Sequence, residues 1–143
     1  MSTEKNKEIS RRFWELFDAG KIEQILQELP DPKAVFHFPG MPDPMNVEAF
    51  KQVGVAFRAG FPDLRTTVEF QVAEGDKVVS RVVSTGTHRG EFQGIPATGK
   101  PVKIEGIVIE RIVNGKIVER WDEFDAVGMM QQLGVMPMPQ PAR

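Results

Sequence analysis

The residue best placed for chemistry in this sequence is Asp122, which follows Trp121 at the end of a run rich in β-forming residues. A carboxylate beside large apolar side chains loses part of its hydration, and this disfavours its charged form and suits it to acid/base catalysis. The alternative is structural, because Asp122 or Asp125 can cap a helix that begins directly afterwards. The local sequence leaves both interpretations of Asp122 open and favours capping for Asp125.

Four further residues are candidates for binding a substrate, beginning with Trp121 beside the carboxylate. His37 alternates with phenylalanines in a short strand, where a histidine is more often structural or at the surface. Arg81 interrupts a run of β-branched residues that should have one buried face, and a carboxylate that pairs with it would be structural or catalytic. His88 ends the same strand, where solvent or a subunit contact competes with a chemical role.

The composition excludes several mechanisms. The chain has no cysteine and no tyrosine, so it has no disulfide, no thiolate and no phenolic hydroxyl. Its two histidines do not form a His-Glu-x-x-His motif, and no glycine-rich nucleotide-binding motif follows a strand, so we expect no metal and no other cofactor. The net charge of −2, without a basic run, predicts that the protein does not bind nucleic acid.

Length and hydropathy predict one domain over residues 1–134, followed by a proline-rich tail over 135–143 that we expect to be extended or disordered. The first twelve residues are polar and charged, so they do not resemble a signal peptide. No apolar run is long enough to span a bilayer. We therefore expect a cytoplasmic protein that makes no membrane contact.

The elements that would position these residues form two blocks. Apolar residues at helical spacing predict three helices in the first 60 residues, with one short strand between them. The helices cover residues 9–17, 22–29 and 46–60, and the strand covers residues 34–38. From residue 67 onward, alternating strands are joined by turns at 74–77 and 114–115, and a last helix covers 126–133. This order indicates an α+β fold with a curved antiparallel sheet, covered by helices on one face and enclosing a pocket.

The last hairpin decides which face of the sheet Asp122 occupies. A plain two-residue turn at 114–115 pairs Arg111 with Val118 and sets Asp122 opposite Ile107. The same register places two glutamates directly opposite each other, which is unfavourable. A bulge near the end of the strand that redirects Asp122 is the alternative.

Three stretches of the sequence, together with Asp122, carry a resemblance to a known family. They are Gly86–Lys100, Arg111–Ile117 and Gly128–Gly134. At this mutual spacing they resemble the SnoaL-like polyketide cyclases of the nuclear-transport-factor-2-like superfamily. The resemblance implies a cone-shaped pocket and a cofactor-free intramolecular aldol condensation. It also implies that an aspartate at the end of the last strand is the acid/base residue, and in this sequence that residue is Asp122.

The resemblance also reveals a departure on the preceding strand. Where the cyclases place a glutamine and a histidine near the aspartate, this chain has Gly106 and Val108, whose side chains cannot form a hydrogen bond with an enolate. We therefore predict a lyase- or isomerase-like enzyme of this family that acts on a small hydrophobic carbonyl compound, with Asp122 as general acid and base.

Two alternatives stay open. One is epoxide hydrolysis, which other members of the superfamily carry out with an Asp-Arg-Asp arrangement around a water. Arg81 would be its arginine, although Val83 lies where a second water-activating residue is needed. The other is a non-catalytic module for ligand binding or dimerisation. Because the exposed face of a curved sheet often pairs with a second copy, we expect a homodimer or a higher homo-oligomer.

Overall fold

The computed structural model describes residues 2–137, which form four helices and five strands. In chain order the elements are α1 (Thr3–Asp18), α2 (Ile22–Glu28), β1 (Pro30–His37), α3 (Val47–Gly60), β2 (Arg65–Glu74), β3 (Lys77–Thr87), β4 (Pro101–Val113), β5 (Lys116–Phe124) and α4 (Ala126–Gln132). The predicted helices and strands are all present. Of the predicted tail, residues 138–143 lie outside the described residues.

Side-chain caps fix where three of the helices begin. Ser2 Oγ accepts a hydrogen bond from Lys5 N at 3.1 Å, and Asn46 Oδ1 accepts one from Ala49 N at 2.9 Å. Asp125 Oδ1 accepts from the backbone N–H of residue 128 at 2.8 Å, so the predicted capping role of Asp125 is confirmed. These bonds satisfy backbone donors that have no partner within the first turn of a helix.

The five strands form one curved sheet in the order β1-β5-β4-β3-β2. The last four strands are joined as antiparallel hairpins, which confirms the predicted α+β fold. One feature was not predicted: β1 runs parallel to β5 at the edge of the sheet. Pairing with β5 begins as soon as α2 ends, since Ile117 N donates to Leu29 O at 2.9 Å. An edge strand tolerates the two prolines of this segment, Pro30 and Pro32.

The turn between β4 and β5 has the conformation that its sequence predicts. Asn114 has a φ of 51° and Gly115 a φ of 78°, as a type I′ turn requires. This turn on its own would give the plain register, in which Arg111 pairs with Val118.

A bulge next to the turn changes that register. Ile112 pairs with Ile117, whereas the preceding residue of β4, Arg111, pairs with Glu119. Val118 is therefore the extra residue of the bulge. The inward-facing positions of β5 change accordingly from odd to even residue numbers between Ile117 and the end of the strand.

The plain register, with Asp122 opposite Ile107, is therefore not formed, and the alternative of a bulge that redirects Asp122 is confirmed, although the bulge lies beside the turn. Asp122 pairs with Val108, and Arg120 pairs with Glu110. The bulge replaces the unfavourable pair of glutamates with a pair of opposite charges. It also turns Asp122 and Arg120 toward the helices, so they lie on the same buried face of the sheet as the buried residues of β4.

The helices cover one face of the sheet. α1 packs against β2 and β3, α3 against β1, and α4 against β4. Aromatic rings fill the layer between α1, α3 and the sheet, where Phe36 stacks on Phe50 with ring centroids 4.1 Å apart and Phe13 lies beside Phe50. Among the described residues, no helix is long and apolar enough to cross a membrane.

Candidate active site

A cavity of about 100 Å³ lies between the inner face of the sheet and α1, α2 and α3. Its walls are mostly aromatic and aliphatic. The aromatic residues that line it are Phe13, Trp14, Phe17, Phe38, Phe50, Phe57 and Phe124. Asp122 and Arg120 introduce charge into this apolar surface, and Lys51 contributes an ammonium group from α3.

The carboxylate of Asp122 lines this cavity, and the residue is only 6% exposed. Both of its oxygens are bound by one guanidinium: Arg120 Nε donates to Oδ2 at 2.9 Å and Nη2 donates to Oδ1 at 3.1 Å. Asp122 does not cap α4, because Asp125 has that role. Helix capping therefore does not account for a carboxylate at position 122.

Arg120 also binds a second buried carboxylate. Its Nη1 donates to Glu110 Oε2 at 3.0 Å, and Ser10 of α1 donates to Glu110 Oε1 at 2.6 Å. The guanidinium lies over the ring of Phe13, with its carbon 3.7 Å from the ring centroid. Such bidentate and charge-assisted bonds are strong and directional. They hold Arg120 and both carboxylates in one arrangement.

Arg120 keeps its charge despite being fully buried. Burial on its own would lower the pKa of this guanidinium, but the charges and hydrogen bonds of Asp122 and Glu110 outweigh it and raise the pKa above its ordinary value. The apolar cavity therefore has a permanent cation in its wall, next to the carboxylate of Asp122.

His37 and Trp121 lie together, but on the other face of the sheet. They are neighbours in the parallel pairing of β1 with β5, and their rings stack with centroids 5.4 Å apart. His37 Nε2 is 2.7 Å from Glu119 Oε2. Neither residue is among those that line the cavity within residues 2–137.

Arg81 and His88 are also outside the lining of this cavity, as far as the described part of the chain goes. Arg81 lies on the outer face, near the carboxylates of Glu69 at 3.6 Å and Glu105 at 3.3 Å. His88 is fully buried, with Nδ1 3.0 Å from Thr98 Oγ1, so the expected contact with solvent or a subunit is wrong. Substrate binding by the four candidates stays a prediction, and none of them lines the cavity around Asp122 in the described part of the chain. The four are His37, Arg81, His88 and Trp121.

An ion pair lies beside the cavity where α2 meets α3. Lys51 donates a hydrogen bond to Glu23, and this bond raises the pKa of Lys51 above its ordinary value. Both side chains are partly exposed. The cavity therefore has a charged, solvent-accessible part at Lys51 and a dry part at Arg120.

Comparison with known proteins identifies the family. The model of the SnoaL-like polyketide cyclases matches residues 7–133. The chain belongs to this family. It is 32% identical over 139 residues to an aklanonic acid methyl ester cyclase of Streptomyces peucetius, with 94% of this chain and 93% of that protein covered.

Two solved structures agree with the nuclear-transport-factor-2-like fold of this family. A candidate polyketide cyclase from Streptomyces antibioticus is 37% identical, with a TM-score of 0.81 over 91% of this chain and 99% of that chain. A candidate hydroxylase from Streptomyces galilaeus is 26% identical, with a TM-score of 0.88 over 97% of this chain and 87% of that chain. The same fold is therefore associated with two different proposed activities.

The departure of this SnoaL-like chain at Gly106 has a physical cause. Gly106 and Val108 both line the cavity beside Asp122. A Cβ at position 106 would lie 2.7 Å from Glu123 O and 2.9 Å from Phe124 Cβ. Because β5 approaches β4 this closely, the strand accommodates only glycine at that position, and no side chain from it reaches the cavity.

Sequence reasoning missed Arg120, Glu110 and Ser10 as members of the site. One signal was available for Arg120: residues two apart in a strand share a face, so a buried Asp122 requires a buried Arg120. A buried arginine in turn requires carboxylate partners. The identity of those partners depended on the bulge at Val118, and the sequence left the plain register and a bulge both open.

Proposed function

We propose that this protein is a cofactor-free cyclase that closes a ring in a small, hydrophobic, polyketide-like carbonyl compound, with Asp122 as general acid and base. The observation that carries the proposal is a buried carboxylate that faces an apolar cavity and is held by a fixed guanidinium. The relative that cyclises aklanonic acid methyl ester supports this choice of substrate class.

In the proposed reaction Asp122 removes a proton from a carbon that lies between two carbonyl groups. The C–H electron pair moves into an enolate, and the enolate carbon then attacks a second carbonyl of the same molecule to form the ring bond. The alkoxide produced by this attack takes the proton back from Asp122, so no proton is gained or lost overall. The apolar walls contribute by holding the substrate in a folded conformation, which makes the intramolecular attack effective.

The test is Asp122→Asn with aklanonic acid methyl ester as substrate, followed by chromatography of the cyclised product. We expect activity to fall by about 100-fold or more, the usual contribution of a general acid/base. Asp125→Asn is the matched control, because Asp125 caps α4 outside the cavity lining and should keep its activity. Full activity of Asp122→Asn would refute the proposal. A wild-type protein that binds the ester and never converts it would favour the non-catalytic ligand-binding module.

Epoxide hydrolysis is a second candidate, because one arginine that lines the cavity does lie between two carboxylates. That arginine is Arg120, between Glu110 and Asp122, and not Arg81. However, Glu110 is bound on one oxygen by Ser10 and on the other by Arg120, and it is not among the cavity-lining residues in the described chain. It is poorly placed to activate a water. Conversion of styrene oxide to its diol, lost in both Glu110→Gln and Asp122→Asn, would favour this candidate over the cyclase.

We also propose that the protein forms a homodimer through the outer face of the sheet. Phe70 and Val72 are each 59% exposed there, and Ile107 is 45% exposed. Phe70 and Ile107 lie on either side of Arg81 of β3 in one row across three strands, so this face combines exposed apolar side chains with a guanidinium. Exposed apolar patches of this kind are typical of protein interfaces. Light scattering should give a dimer mass that Ile107→Lys lowers, and a monomeric wild type would refute the proposal.

A further inference from the structure

We propose, resting on the function above, that Arg120 is a second catalytic residue, which stabilises the enolate oxygen that forms when Asp122 takes its proton. Ring closure through an enolate places a negative charge on a carbonyl oxygen of the substrate. A preorganised cation at that oxygen lowers the barrier most effectively where water is excluded. Arg120 lines the same cavity as Asp122 and contacts it directly.

The guanidinium has donors to spare for this purpose. An arginine side chain carries five N–H donors. Three of them donate to carboxylates, two to Asp122 and one to Glu110. The other two have no acceptor among residues 2–137, although Arg120 is only 1% exposed. A substrate oxygen in the cavity would provide the missing acceptor.

The position of this cation is fixed from several sides. Phe13 lies under the plane of the guanidinium at 3.7 Å. Glu110 holds one end, and Ser10 fixes Glu110 in turn through a bond of 2.6 Å. Arg120 therefore stays in place when Asp122 changes its charge, so the reaction requires little reorganisation of the site.

The movement of charge during the reaction suits this arrangement. In the resting site two carboxylates share one guanidinium, so the three groups carry a net charge of −1. When Asp122 accepts the proton, its negative charge disappears and one negative charge appears on the substrate oxygen. The net charge of site and substrate is unchanged, and Arg120 exchanges one anionic partner for another. Opposite charges attract more strongly in an apolar cavity than in water, so Arg120 stabilises the negative charge on the substrate oxygen as well as it stabilised that of Asp122.

Of the other polar side chains that line the cavity, Lys51 and Ser84 have partners of their own, and Glu123 is an exposed carboxylate, which would repel an oxyanion. Lys51 pairs with Glu23 where α2 meets α3, and Ser84 Oγ is 2.8 Å from Thr66 Oγ1. Gly106 and Val108, which lie beside Asp122, have no polar side-chain atom. Arg120 is therefore the cation in direct contact with the proposed acid/base residue, in the place where an oxyanion would form.

The experiment measures the binding of 4-nitrophenolate, a planar anion whose charged oxygen resembles that of an enolate and whose absorbance reports its ionisation. Asp122→Asn mimics the protonated aspartic acid that is present after proton transfer. We expect this variant to bind the phenolate about tenfold more tightly than the wild type, because the competing negative charge is gone. Replacing Arg120 in this background should abolish that gain.

Two backgrounds keep the result independent of folding. Because Arg120→Gln alone leaves buried Glu110 unpaired, the main comparison is Asp122→Asn/Glu110→Gln with and without Arg120→Gln, each checked by circular dichroism. Asp122→Asn/Arg120→Lys keeps the charge but not the planar fork, and it should retain part of the gain. Arg111→Gln in the Asp122→Asn background is the matched control, because Arg111 lies near Glu119 and Asp76 on the outer face.

The outcomes separate this inference from the proposed function. Phenolate binding that is unaffected by removal of Arg120, in a background where Asp122→Asn has abolished ring closure, would overturn the role of Arg120 alone. An active Asp122→Asn would overturn the proposed function, whatever the binding data. A gain that depends on Arg120 and not on Arg111 would establish the oxyanion site. We also expect Arg120→Gln/Glu110→Gln to lower kcat far more than it raises KM.

Discussion

On each face of this sheet an arginine lies between two carboxylates. On the inner face Arg120 binds Asp122 and Glu110 at 2.9–3.1 Å, and its side chain is 1% exposed. On the outer face Arg81 approaches its two glutamates at 3.3 Å and 3.6 Å, and its side chain is 27% exposed. The residue types are nearly the same, but the surroundings differ.

The comparison shows that exclusion of water, rather than residue type, determines how strongly these charged groups can act on a substrate. Around Arg81 in the single subunit, solvent screens the charges, and the ion pairs contribute little to its stability. Around Arg120, aromatic rings exclude water, so each charge depends on its partners and would exert a strong field on a bound substrate. Sequence reasoning listed Arg81 as a candidate because it interrupts an apolar strand, whereas the buried arginine was the one beside Asp122.

The largest expected difference in stability is between a variant without Arg120 and a variant without Arg81. Arg120→Gln leaves two buried carboxylates without their cation, and we expect it to lower the free energy of unfolding by about 3–5 kcal/mol. Arg81→Gln on the outer face should lower the free energy of unfolding of the single subunit by less than about 1 kcal/mol. Urea unfolding of both variants at neutral pH measures the difference. Equal losses would show that water reaches both sites alike.

Local features of this fold were predictable, and features that depend on distant pairing were not. The Asn46 cap and the turn at 114–115 follow from a few adjacent residues, and both are present. The bulge at Val118 is decided by burial across the whole sheet, because it trades a pair of glutamates for the contact of Arg120 with Glu110. Asp122 was therefore identified as a candidate, while its partners could not be.

An intermediate effect is expected on the inner face of β4 at Gly106. In Gly106→Ala the new methyl group meets Glu123 O and Phe124 Cβ at less than 3 Å, so the β4–β5 pairing must shift. We expect a loss of about 1–3 kcal/mol, typical of overpacking in a core. Glu105→Ala, the adjacent position on the exposed outer face, should change stability by no more than about 0.5 kcal/mol. Thermal unfolding compares the two, and a stable Gly106→Ala would mean that the strands are further apart than described.

The smallest expected effect concerns two aspartates, one partly buried and the other exposed to solvent. Asp18, at the end of α1, is half-buried and accepts a bond from Thr66 N at 2.8 Å. Burial raises the pKa of Asp18 above its ordinary value, more than this bond lowers it. Asp63 is exposed and accepts bonds from Thr87 N at 2.7 Å and Thr87 Oγ1 at 2.9 Å, which lower its pKa.

The two shifts have opposite consequences for stability as the pH changes. With a raised pKa, the folded protein holds the Asp18 proton more tightly than the unfolded chain, so stability falls as the pH rises through the folded pKa. With a lowered pKa, Asp63 contributes stability at higher pH, and this is lost as the pH falls through its folded pKa. Asp18→Asn should therefore gain relative to wild type from acidic to neutral pH, by less than about 1 kcal/mol after solvent screening. Asp63→Asn should lose over the same interval. Urea unfolding at a series of pH values checks both signs, and parallel curves for the two variants would contradict the assignment of burial to one carboxylate and hydrogen bonding to the other.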